Sequence, residues 1–382
     1  MNILMLSWRG MGHPQAGGAE ISTHEHTKRW VKAGHSVTLF TSYYPNSKKQ
    51  ERIEGIDIIR RGNQSLGVHF HAFWWYIFES HPKFDLVVDQ FHGIPFFTPI
   101  FVKEKKLAFI HEVTKEVWRL NPLSNPFNFV PTIFGTFFEP FIFKLLYKNI
   151  PFMTVSDSTK TDLISWGIPS NNITVIHNGF IVPTFNLPNK EKNPTIIFLG
   201  ALNKDKGIED ALRVFSIVNK SSRNWKFWVV GKGESHYLAQ LKLLAKKLNI
   251  DERTKFYGFV TEGKKFKLLS KAHVLLNTSV REGWGLVVIE AAAVGTPTAA
   301  LNVPGLRDSV VNGKTGIIDK NNSVNSIADE IINLLSDNQK YQKMREEAVK
   351  WSKRFSWKES VIRSLDLINK IMKNSNNQFT KS

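Results

Sequence analysis

Residues 274–300, VLLNTSVREGWGLVVIEAAAVGTPTAA, contain the pattern that decides the fold. An apolar run at Val274–Leu276 leads into a loop with two glycines, and an apolar helical segment follows and ends at Gly295. A second β-rich run comes at Pro297–Ala300. Two short strands joined by a helix-length segment predict a βαβ unit and therefore a parallel sheet.

The same alternation extends from this unit toward both ends of the chain. Further strands are predicted at Ile3–Leu6, Val37–Thr41, Leu86–Val88, Ala108–Ile110, Met153–Val155, Val175–Ile176, Ile196–Leu199, Trp228–Val230 and Lys255–Tyr257. Between the two groups of strands, residues 181–194 carry three prolines and no apolar period, which is typical of a linker. The fold class predicted is α/β, with two Rossmann-like, doubly wound parallel-sheet domains at 1–180 and 195–350. The remaining segment, 351–382, is predicted to be helical, with the hypothesis that it crosses back to the first domain.

Composition limits the class of protein. A chain of 382 residues with 42% hydrophobic residues fits two globular domains. The absence of cysteine excludes disulfides, thiolate metal sites and cysteine nucleophiles, and it fits a reducing, cytoplasmic compartment. Residues 1–7 predict a strand instead of a signal peptide, and no uninterrupted apolar run approaches the ~18 residues that a spanning helix needs.

The formal net charge of +18 indicates anionic partners or a solvated, lysine-rich surface. The excess of basic residues lies mainly in the second half of the chain. No zinc-finger, helix-turn-helix or RNA-recognition pattern accompanies it, so nucleic acid is not an expected partner.

Three loops after predicted strands combine glycine with charge. Gly17 and Gly18 precede a predicted helix start, and Lys206 stands beside Gly207 at another, where backbone N–H groups favour an anion. The strongest pattern is the pair Glu282 and Glu290, because Glu290 lies in an apolar helical run where a carboxylate needs a partner. A ribose hydroxyl would supply one, and Gly283 and Gly285 would expose N–H groups to a diphosphate or a sugar.

Several motifs resemble those of the retaining glycosyltransferases of family 4. In order along the chain they are GGAE at 17–20, VSDSTKTDL at 155–163, VIHNGF at 175–180, VVGKGE at 229–234, FYGFV at 256–260, E-x7-E at 282–290 and PGLRDSVVNGKTG at 304–316. That family has the GT-B fold, in which two Rossmann-like domains face each other across a cleft. The resemblance covers nearly the whole chain and is weakest at 45–150, where acceptor sites vary.

The resemblance implies a role for each matching position. Glu282 would contact the donor sugar, with the backbone of Gly283, Trp284, Gly285 and Leu286, and Glu290 would hold the ribose. Lys206 would offset charge on the departing diphosphate. Gly231, Phe259 and Val260 would frame the nucleobase, and His111 would face the sugar from the first domain. No metal ion and no cofactor is expected, since the nucleotide sugar is itself a substrate.

One position departs from the family pattern. Ala201 replaces an arginine that supplies a second cation to the diphosphate, and Arg281 is the candidate replacement. The main hypothesis is transfer of a hexose-type sugar to a glycan or lipid-linked acceptor, in cell envelope glycan biosynthesis. A catalytically weak or inactive nucleotide-sugar-binding partner subunit is the alternative, and a sugar-nucleotide 2-epimerase is a second one. Retention of the sugar's configuration fits attack by the acceptor on the same face within a short-lived ion pair. A double displacement through an enzyme carboxylate is the other route.

The first domain has two aromatic-rich stretches, HFHAFWWYIF at 69–78 and PFNFVPTIFGTFFEPFIFKLLYK at 126–148. Two interpretations compete: buried helices, or an apolar surface flanked by Lys144 and Lys148 that docks on a membrane or grips a lipid-linked acceptor. The second predicts a protein at the inner face of the membrane.

Overall fold

The computed structural model describes residues 1–120, 132–181, 188–221 and 224–373. The chain divides into two compact units. The first contains Met1–Gly179 and the C-terminal helix that begins at Trp357, and the second is Phe180–Ser356. Residues 182–187 of the predicted linker and 126–131 of the second aromatic stretch lie outside the described residues.

The first unit is built on an eight-stranded sheet with the order β3-β4-β2-β1-β5-β6-β7-β8. Its strands are β1 Asn2–Ser7, β2 Ser36–Thr41, β3 Gln50–Ile53, β4 Ile56–Arg60, β5 Leu86–Phe91, β6 Lys105–Ile110, β7 Phe152–Thr154 and β8 Ile173–Val175. The neighbouring pairs are parallel except β3 and β4, which form an antiparallel hairpin.

The hairpin at the edge of this sheet is absent from the sequence prediction. Its two turn residues, Glu54 and Gly55, both have positive φ (48° and 83°), as a tight hairpin turn requires. β3 is mostly exposed, so it lacks the apolar alternation that reveals a half-buried strand. The hairpin thus adds one antiparallel pair at the edge of the predicted parallel sheet.

The helices of the first unit connect the strands of its sheet. They are α1 Gly18–Lys32, α2 Gly67–Phe78, α3 Thr98–Phe101, α4 Glu139–Ile142 and α5 Asp157–Ser165. The π-helical turns Phe134–Phe138 and Phe143–Tyr147 flank α4, and we call this continuous stretch the 134–147 helix. A 3₁₀ turn spans Lys115–Leu120.

The second unit is built on a six-stranded, wholly parallel sheet with the order β11-β10-β9-β12-β13-β14. Its strands are β9 Thr195–Leu199, β10 Lys226–Val230, β11 Thr254–Gly258, β12 Val274–Asn277, β13 Thr298–Leu301 and β14 Gly316–Asp319. Its helices are α6 Ile208–Ser221, α7 Ser235–Lys247, α8 Glu262–Lys271, α9 Leu286–Ala293, α10 Leu306–Ser309, α11 Val324–Ser336 and α12 Asn338–Ser352. Apolar clusters pack on both faces of the sheet, which confirms the predicted parallel α/β class.

The last helix, α13 (Trp357–Lys373), belongs to the first unit and packs against α1. The indole Nε1 of Trp30 donates to Ser364 Oγ at 3.0 Å, and His26 Nδ1 lies 3.0 Å from the same oxygen. These buried polar contacts fix the position of α13 on the first unit. Every helix within the described residues is too short or too polar to cross a bilayer.

Candidate active site

The order of strands in the second unit places two predicted catalytic residues side by side. The chain leaves β9 toward β10 on one side of the sheet, and it later leaves β12 toward β13 on the other. In an open parallel sheet, such a reversal opens a crevice at the carboxyl ends of the two central strands. Lys206 follows β9 and Glu282 follows β12, so both lie at this switch point.

Lys206 and Glu282 form an ion pair there. The Nζ of Lys206 lies 3.0 Å from Oε1 of Glu282, and Ser279 Oγ donates to the same oxygen at 2.8 Å. The side chains are 24% and 16% exposed, so the pair is shielded yet still reachable. An ammonium and a carboxylate are thus presented together, one suited to a phosphate and the other to a hydroxyl.

Backbone contacts hold the two loops together. Val280 N–H donates to Asp205 O at 2.8 Å, and Thr278 Oγ1 donates to Gly207 O at 2.7 Å. Gly207 has φ of +67°, and a Cβ on it would lie only 1.9 Å from Thr278 O. Glycine at this position therefore allows the loop after β9 to approach the loop after β12.

The segment Gly283–Leu286 leads into α9. Gly285 caps the helix with φ of 76° and makes no side-chain cap, so the first N–H groups of α9 are available to an anion. The side chain of Trp284 is buried at 3% exposure and packs edge-on against Phe355, at 4.9 Å between ring centroids. Only the backbone of Trp284 can take part in the predicted donor contact.

Glu290 is buried in α9 and has a protein partner that the sequence prediction missed. Lys265 Nζ, from α8, lies 2.7 Å from Glu290 Oε1, and the other oxygen has no hydrogen-bond partner among the described residues. Burial raises the pKa of the Glu290 carboxyl, and Lys265 opposes that rise. This oxygen, itself buried, lacks the partner that the predicted ribose hydroxyl would supply. Lys265 is hard to single out beforehand, because it stands in the run GKKFK, where surface lysine is the ordinary expectation.

The residues predicted to frame the nucleobase also lie together. Gly231 N–H donates to Gly258 O at 3.0 Å, and a Cβ on Gly231 would lie 1.7 Å from Gly200 O. Phe259 follows directly and is 82% exposed, whereas Val260 packs against the core. An aromatic ring left in solvent beside a close approach of backbone offers a stacking surface for a base.

Arg281, the cation predicted to replace the missing arginine, and Ala201 differ in their exposure to solvent. Arg281 is buried at 3% exposure, whereas Ala201 is exposed at the end of β9. The loop after β10 brings a different cation to this point: Leu202 N–H donates to Lys232 O at 2.8 Å, and Lys232 is exposed. The motif VVGKGE contains Lys232, but only the pairing of the two loops shows that it neighbours Ala201.

In the first unit, the loop after β1 and the start of α1 are held by an internal carboxylate. Glu20, 2% exposed, accepts a hydrogen bond from Gly17 N–H at 2.6 Å and another from Arg9 Nε at 2.9 Å. The N–H of Gly17 is thereby engaged, and Gly18 is the first residue of α1. The carboxylate of Glu20 takes the place at this helix end that an anionic ligand would otherwise occupy.

His111 follows β6 in the first unit and is buried at 5% exposure. Burial, reinforced by His92 and His26, lowers its pKa to about 3, so the imidazole is neutral near pH 7. Its Nε2 has no hydrogen-bond partner among the described residues. A neutral imidazole with a free ring nitrogen can hydrogen-bond a hydroxyl, but it does not bring a positive charge.

Across the described parts of the chain, no group of three or more His, Asp or Glu side chains is arranged to hold a metal ion. The predicted site residues instead form two sets. Lys206, Glu282, Glu290 and the base-framing loops lie at the edge of the second sheet, and His111, Gly17 and Gly18 lie in the first unit.

Known proteins match both units. The family model described as Glycosyltransferase Family 4 matches residues 16–182, and the model described as Glycosyl transferases group 1 matches 184–351. An uncharacterized glycosyltransferase of Methanocaldococcus jannaschii is 26% identical over 364 residues, which is 88% of this chain and 90% of that protein.

Solved structures share the fold. Sucrose-phosphate synthase from Thermosynechococcus elongatus superposes with a TM-score of 0.78 at 18% identity, covering 97% of this chain and 98% of that one. A protein of Anabaena solved with UDP-glucose gives a TM-score of 0.71 at 18% identity, covering 97% and 100%. The likeness to glycosyltransferases of the GT-B class agrees with the two parallel-sheet domains. With one family model matching each half of the chain, the protein belongs to the group 1 glycosyltransferases, with an N-terminal half of the family 4 type.

Proposed function

We propose that this glycosyltransferase moves a hexose-type sugar from a nucleotide-sugar donor to an acceptor hydroxyl with retention of configuration. The observation that carries the proposal is the Lys206–Glu282 pair, 3.0 Å apart at the switch point of the second sheet. A nucleoside diphosphate needs cations and N–H donors, and sugar hydroxyls need an acceptor. Both kinds of group occur at this one edge, together with the exposed ring of Phe259.

In the proposed reaction, the bond between the sugar's anomeric carbon and the diphosphate oxygen breaks, and the acceptor oxygen bonds to the same face of that carbon. The acceptor's proton passes to the departing phosphate oxygen, so no enzyme nucleophile is needed. Lys206 stabilises the negative charge that builds on the diphosphate, and Glu282 holds the sugar hydroxyls. The role proposed for His111 is a hydrogen bond from a neutral imidazole to a substrate hydroxyl.

Lys232 is proposed to supply the second diphosphate cation that Ala201 lacks. It is exposed, and its carbonyl is bonded to the residue that follows Ala201. A lysine contributes a point charge instead of a bidentate fork, so the diphosphate would be held with less directional contacts than arginine provides. This arrangement favours an active enzyme over the alternative of an inactive partner subunit.

Thermal-shift titration tests the donor proposal. The wild-type protein is screened with UDP, GDP and ADP and their hexose conjugates, beside Glu290→Ala and the exposed control Glu252→Ala. One nucleotide should raise the Tm of wild type and control, and Glu290→Ala should lose that shift. Release of the nucleoside diphosphate from the matching donor is the second readout. Binding without any release would replace the proposal by a non-catalytic nucleotide-sugar-binding partner.

We further propose a lipid-linked acceptor and peripheral membrane association, because the first unit carries an exposed apolar surface. On α2 the exposed side chains recur at helical spacing, and on the 134–147 helix they form a second stripe. They are Phe70, Phe73, Trp74, Ile77 and Phe78 on α2 and Phe137, Phe138, Phe141 and Leu145 on the 134–147 helix. The short helix α3, with Ile100 66% exposed, packs against Phe143–Tyr147 and contacts α2 through the Phe73–Phe101 ring pair at 5.2 Å.

Charge favours an anionic lipid surface as the partner. The exposed charged side chains of residues 132–150 are Lys144 and Lys148, and the one acid there, Glu139, is buried and accepts from Trp118 Nε1 at 2.8 Å. Exposed aromatic rings beside lysines suit the interface of an anionic bilayer. The other face of α2 buries Val68, Ala72, Trp75 and Tyr76, so this helix is partly core and partly exposed apolar surface.

Co-sedimentation with vesicles containing one-third phosphatidylglycerol tests this surface. Wild type is compared with Trp74→Ser/Phe78→Ser and with Leu243→Ser, which removes a 67% exposed leucine from the second unit. The double variant should lose at least about tenfold in vesicle affinity, since each buried aromatic contributes roughly 1.5–3 kcal/mol. Equal sedimentation of all three proteins would contradict the proposed docking surface.

A further inference from the structure

A cavity of about 650 Å³ lies in the second unit, between α12 and the segment 188–194 that precedes β9. It is lined by Pro188, Asn189, Lys190, Lys192, Pro194, Ser270, His273, Val294, Leu335, Asn338, Tyr341, Gln342 and Arg345. Its size falls in the range of small-molecule sites, about 300–1,000 Å³. None of the residues assigned above to the donor site lines it, so it is a separate feature of the unit.

The described part of the chain lines the cavity with three basic side chains, Lys190, Lys192 and Arg345. The acid between the two lysines does not compensate them. Glu191 pairs instead with Lys271 at 3.3 Å and with Lys226 at 3.5 Å, and it does not line the cavity. Among the described residues, the lining of the cavity is thus basic and contains no acidic side chain.

Lys190 is held in place by the body of the unit. Its Nζ donates to Ala272 O and to Thr296 Oγ1, each at 2.6 Å. Burial, and next the nearby Arg345, lowers the pKa of Lys190 to about 6. An anion in the cavity would favour the charged form of this amine and relieve its repulsion from Arg345.

Neutral donors complete the lining. The Nδ1 of His273 accepts from Thr195 N–H at 3.1 Å, so the hydrogen of the neutral ring is on Nε2. Burial, followed by Lys190 and Arg345, lowers the pKa of His273 to about 4, which keeps the ring neutral. One face of α12 adds the amides of Asn338 and Gln342 at the helix's N-terminal end, where the helix dipole favours an anion.

The position of Arg345 at the cavity is fixed by its contacts with neighbouring residues. Its Nε donates to Gly295 O at 3.0 Å and its Nη1 to Gln342 Oε1 at 2.7 Å. The guanidinium lies 5.7 Å from the ring of Tyr341, which in turn stacks on His273. The group is therefore fixed in position before any ligand arrives, as a preorganised anion site requires.

We propose that this cavity binds a small phosphorylated molecule, of the size of a sugar phosphate, at a site distinct from the donor site. Lys190, Lys192 and Arg345 would bind the phosphate, and the amides of Asn338 and Gln342 the uncharged part. A ligand there would join the segment before β9 to α12 and stabilise the second unit.

Calorimetric titration in the Lys206→Ala background tests the proposal, because that change removes one of the two lysines proposed to bind a phosphate at the donor site and so weakens binding there. Inorganic phosphate and glucose 6-phosphate are the two probes, at fixed ionic strength so that general screening is constant. The comparison adds Lys192→Gln, Arg345→Gln and, as a matched control, the exposed Lys246→Gln of α7.

Lys192→Gln and Arg345→Gln should each weaken phosphate binding about tenfold, and Lys246→Gln should leave it unchanged. Tighter binding of glucose 6-phosphate than of phosphate would identify a phosphorylated sugar, and equal binding would identify the free ion. Lys192 is exposed, so its variant tests the site even if Arg345→Gln fails to fold. Absence of binding in Lys206→Ala, or equal binding by Lys192→Gln and Lys246→Gln, would overturn the proposal. Neither result depends on whether the chain transfers sugar.

Discussion

The loops at the carboxyl edges of the two sheets carry different kinds of side chain. At the edge of the second sheet, charged side chains meet in loops that glycines allow to touch, and Lys206 pairs with Glu282. At the edge of the first sheet, the loops carry stacked rings: Trp8 stacks on His92 at 5.7 Å, and Arg9 lies 3.9 Å over Trp8. The second unit thus presents paired charges at this edge, and the first unit presents aromatic and imidazole groups.

The difference in chemistry is accompanied by a difference in outer surface. The first unit leaves two apolar stripes exposed on α2 and the 134–147 helix. The second unit carries most of the basic excess. In the proposed function, the second unit therefore binds the donor and the first unit contacts the surroundings of the acceptor, and variants of each unit test that division.

The largest expected effect is on turnover. Lys206→Ala should lower kcat/KM for nucleoside diphosphate release about 10²–10³-fold, because a preorganised charge at the departing group is lost. Glu282→Gln should also abolish most turnover, since the amide cannot replace the carboxylate's charge beside Lys206. Steady-state kinetics with the donor identified by thermal shift provide the measurement. Wild-type-like kinetics in either variant would remove the pair from the mechanism.

The second effect is on stability and concerns the contact between loops. Gly207→Ala should destabilise the protein by more than about 3 kcal/mol, because left-handed φ and a clash with Thr278 O act together. Gly258→Ala is the matched control: Gly258 has the same φ of +67°, but a Cβ there meets nothing within 4 Å. It should cost only about 1–2 kcal/mol. Urea unfolding followed by circular dichroism compares the two, and equal costs would show that the loop contact is not tight.

The third effect is a dependence of the free energy of unfolding on pH, caused by two buried histidines of the first unit. Burial, with added charge repulsion, lowers the pKa of His26 and of His111 to about 3. The unfolded chain, with histidine pKa near ~6.5, takes up protons first as pH falls, so stability present at neutral pH is lost from about pH 6.5 downward. Each histidine should remove roughly 1.3 kcal/mol of unfolding free energy between pH 7 and 5.5.

His111→Asn should therefore show a shallower loss between these two pH values in urea unfolding. The exposed His71→Asn serves as the control and should follow wild type. An unchanged slope in His111→Asn would mean that the ring is not kept neutral by burial, and the hydrogen-bonding role proposed for it would need revision.

The sequence predicts the parts of this molecule that follow from local pattern. Strand alternation with helix-length spacers predicts both parallel sheets, and the spacing of Glu282 and Glu290 places them at the end of one strand and inside the next helix. The hairpin is not predicted because β3 exposes most of its residues and so has no apolar period, although β4 alternates buried and exposed positions. Neighbours that come from another loop are not predicted either. Lys265 beside Glu290, and Lys232 beside Ala201, depend on which strands adjoin in the sheet.

The smallest expected effect tests whether Lys232 is the second diphosphate cation. Lys232→Ala should weaken nucleoside diphosphate binding about fivefold to tenfold, as an exposed charge-assisted contact contributes roughly 1–1.4 kcal/mol. Lys204→Ala is the control, because Lys204 is also an exposed lysine near the same loop. Titration calorimetry with the preferred nucleotide measures the difference. If Lys232→Ala and Lys204→Ala bind the nucleotide equally well, the charge that replaces the family arginine comes from elsewhere.

Restoring the arginine with Ala201→Arg should in that case strengthen donor binding in wild type and in Lys232→Ala by the same factor. If Lys232 already serves the diphosphate, the gain should be larger in the variant that lacks it.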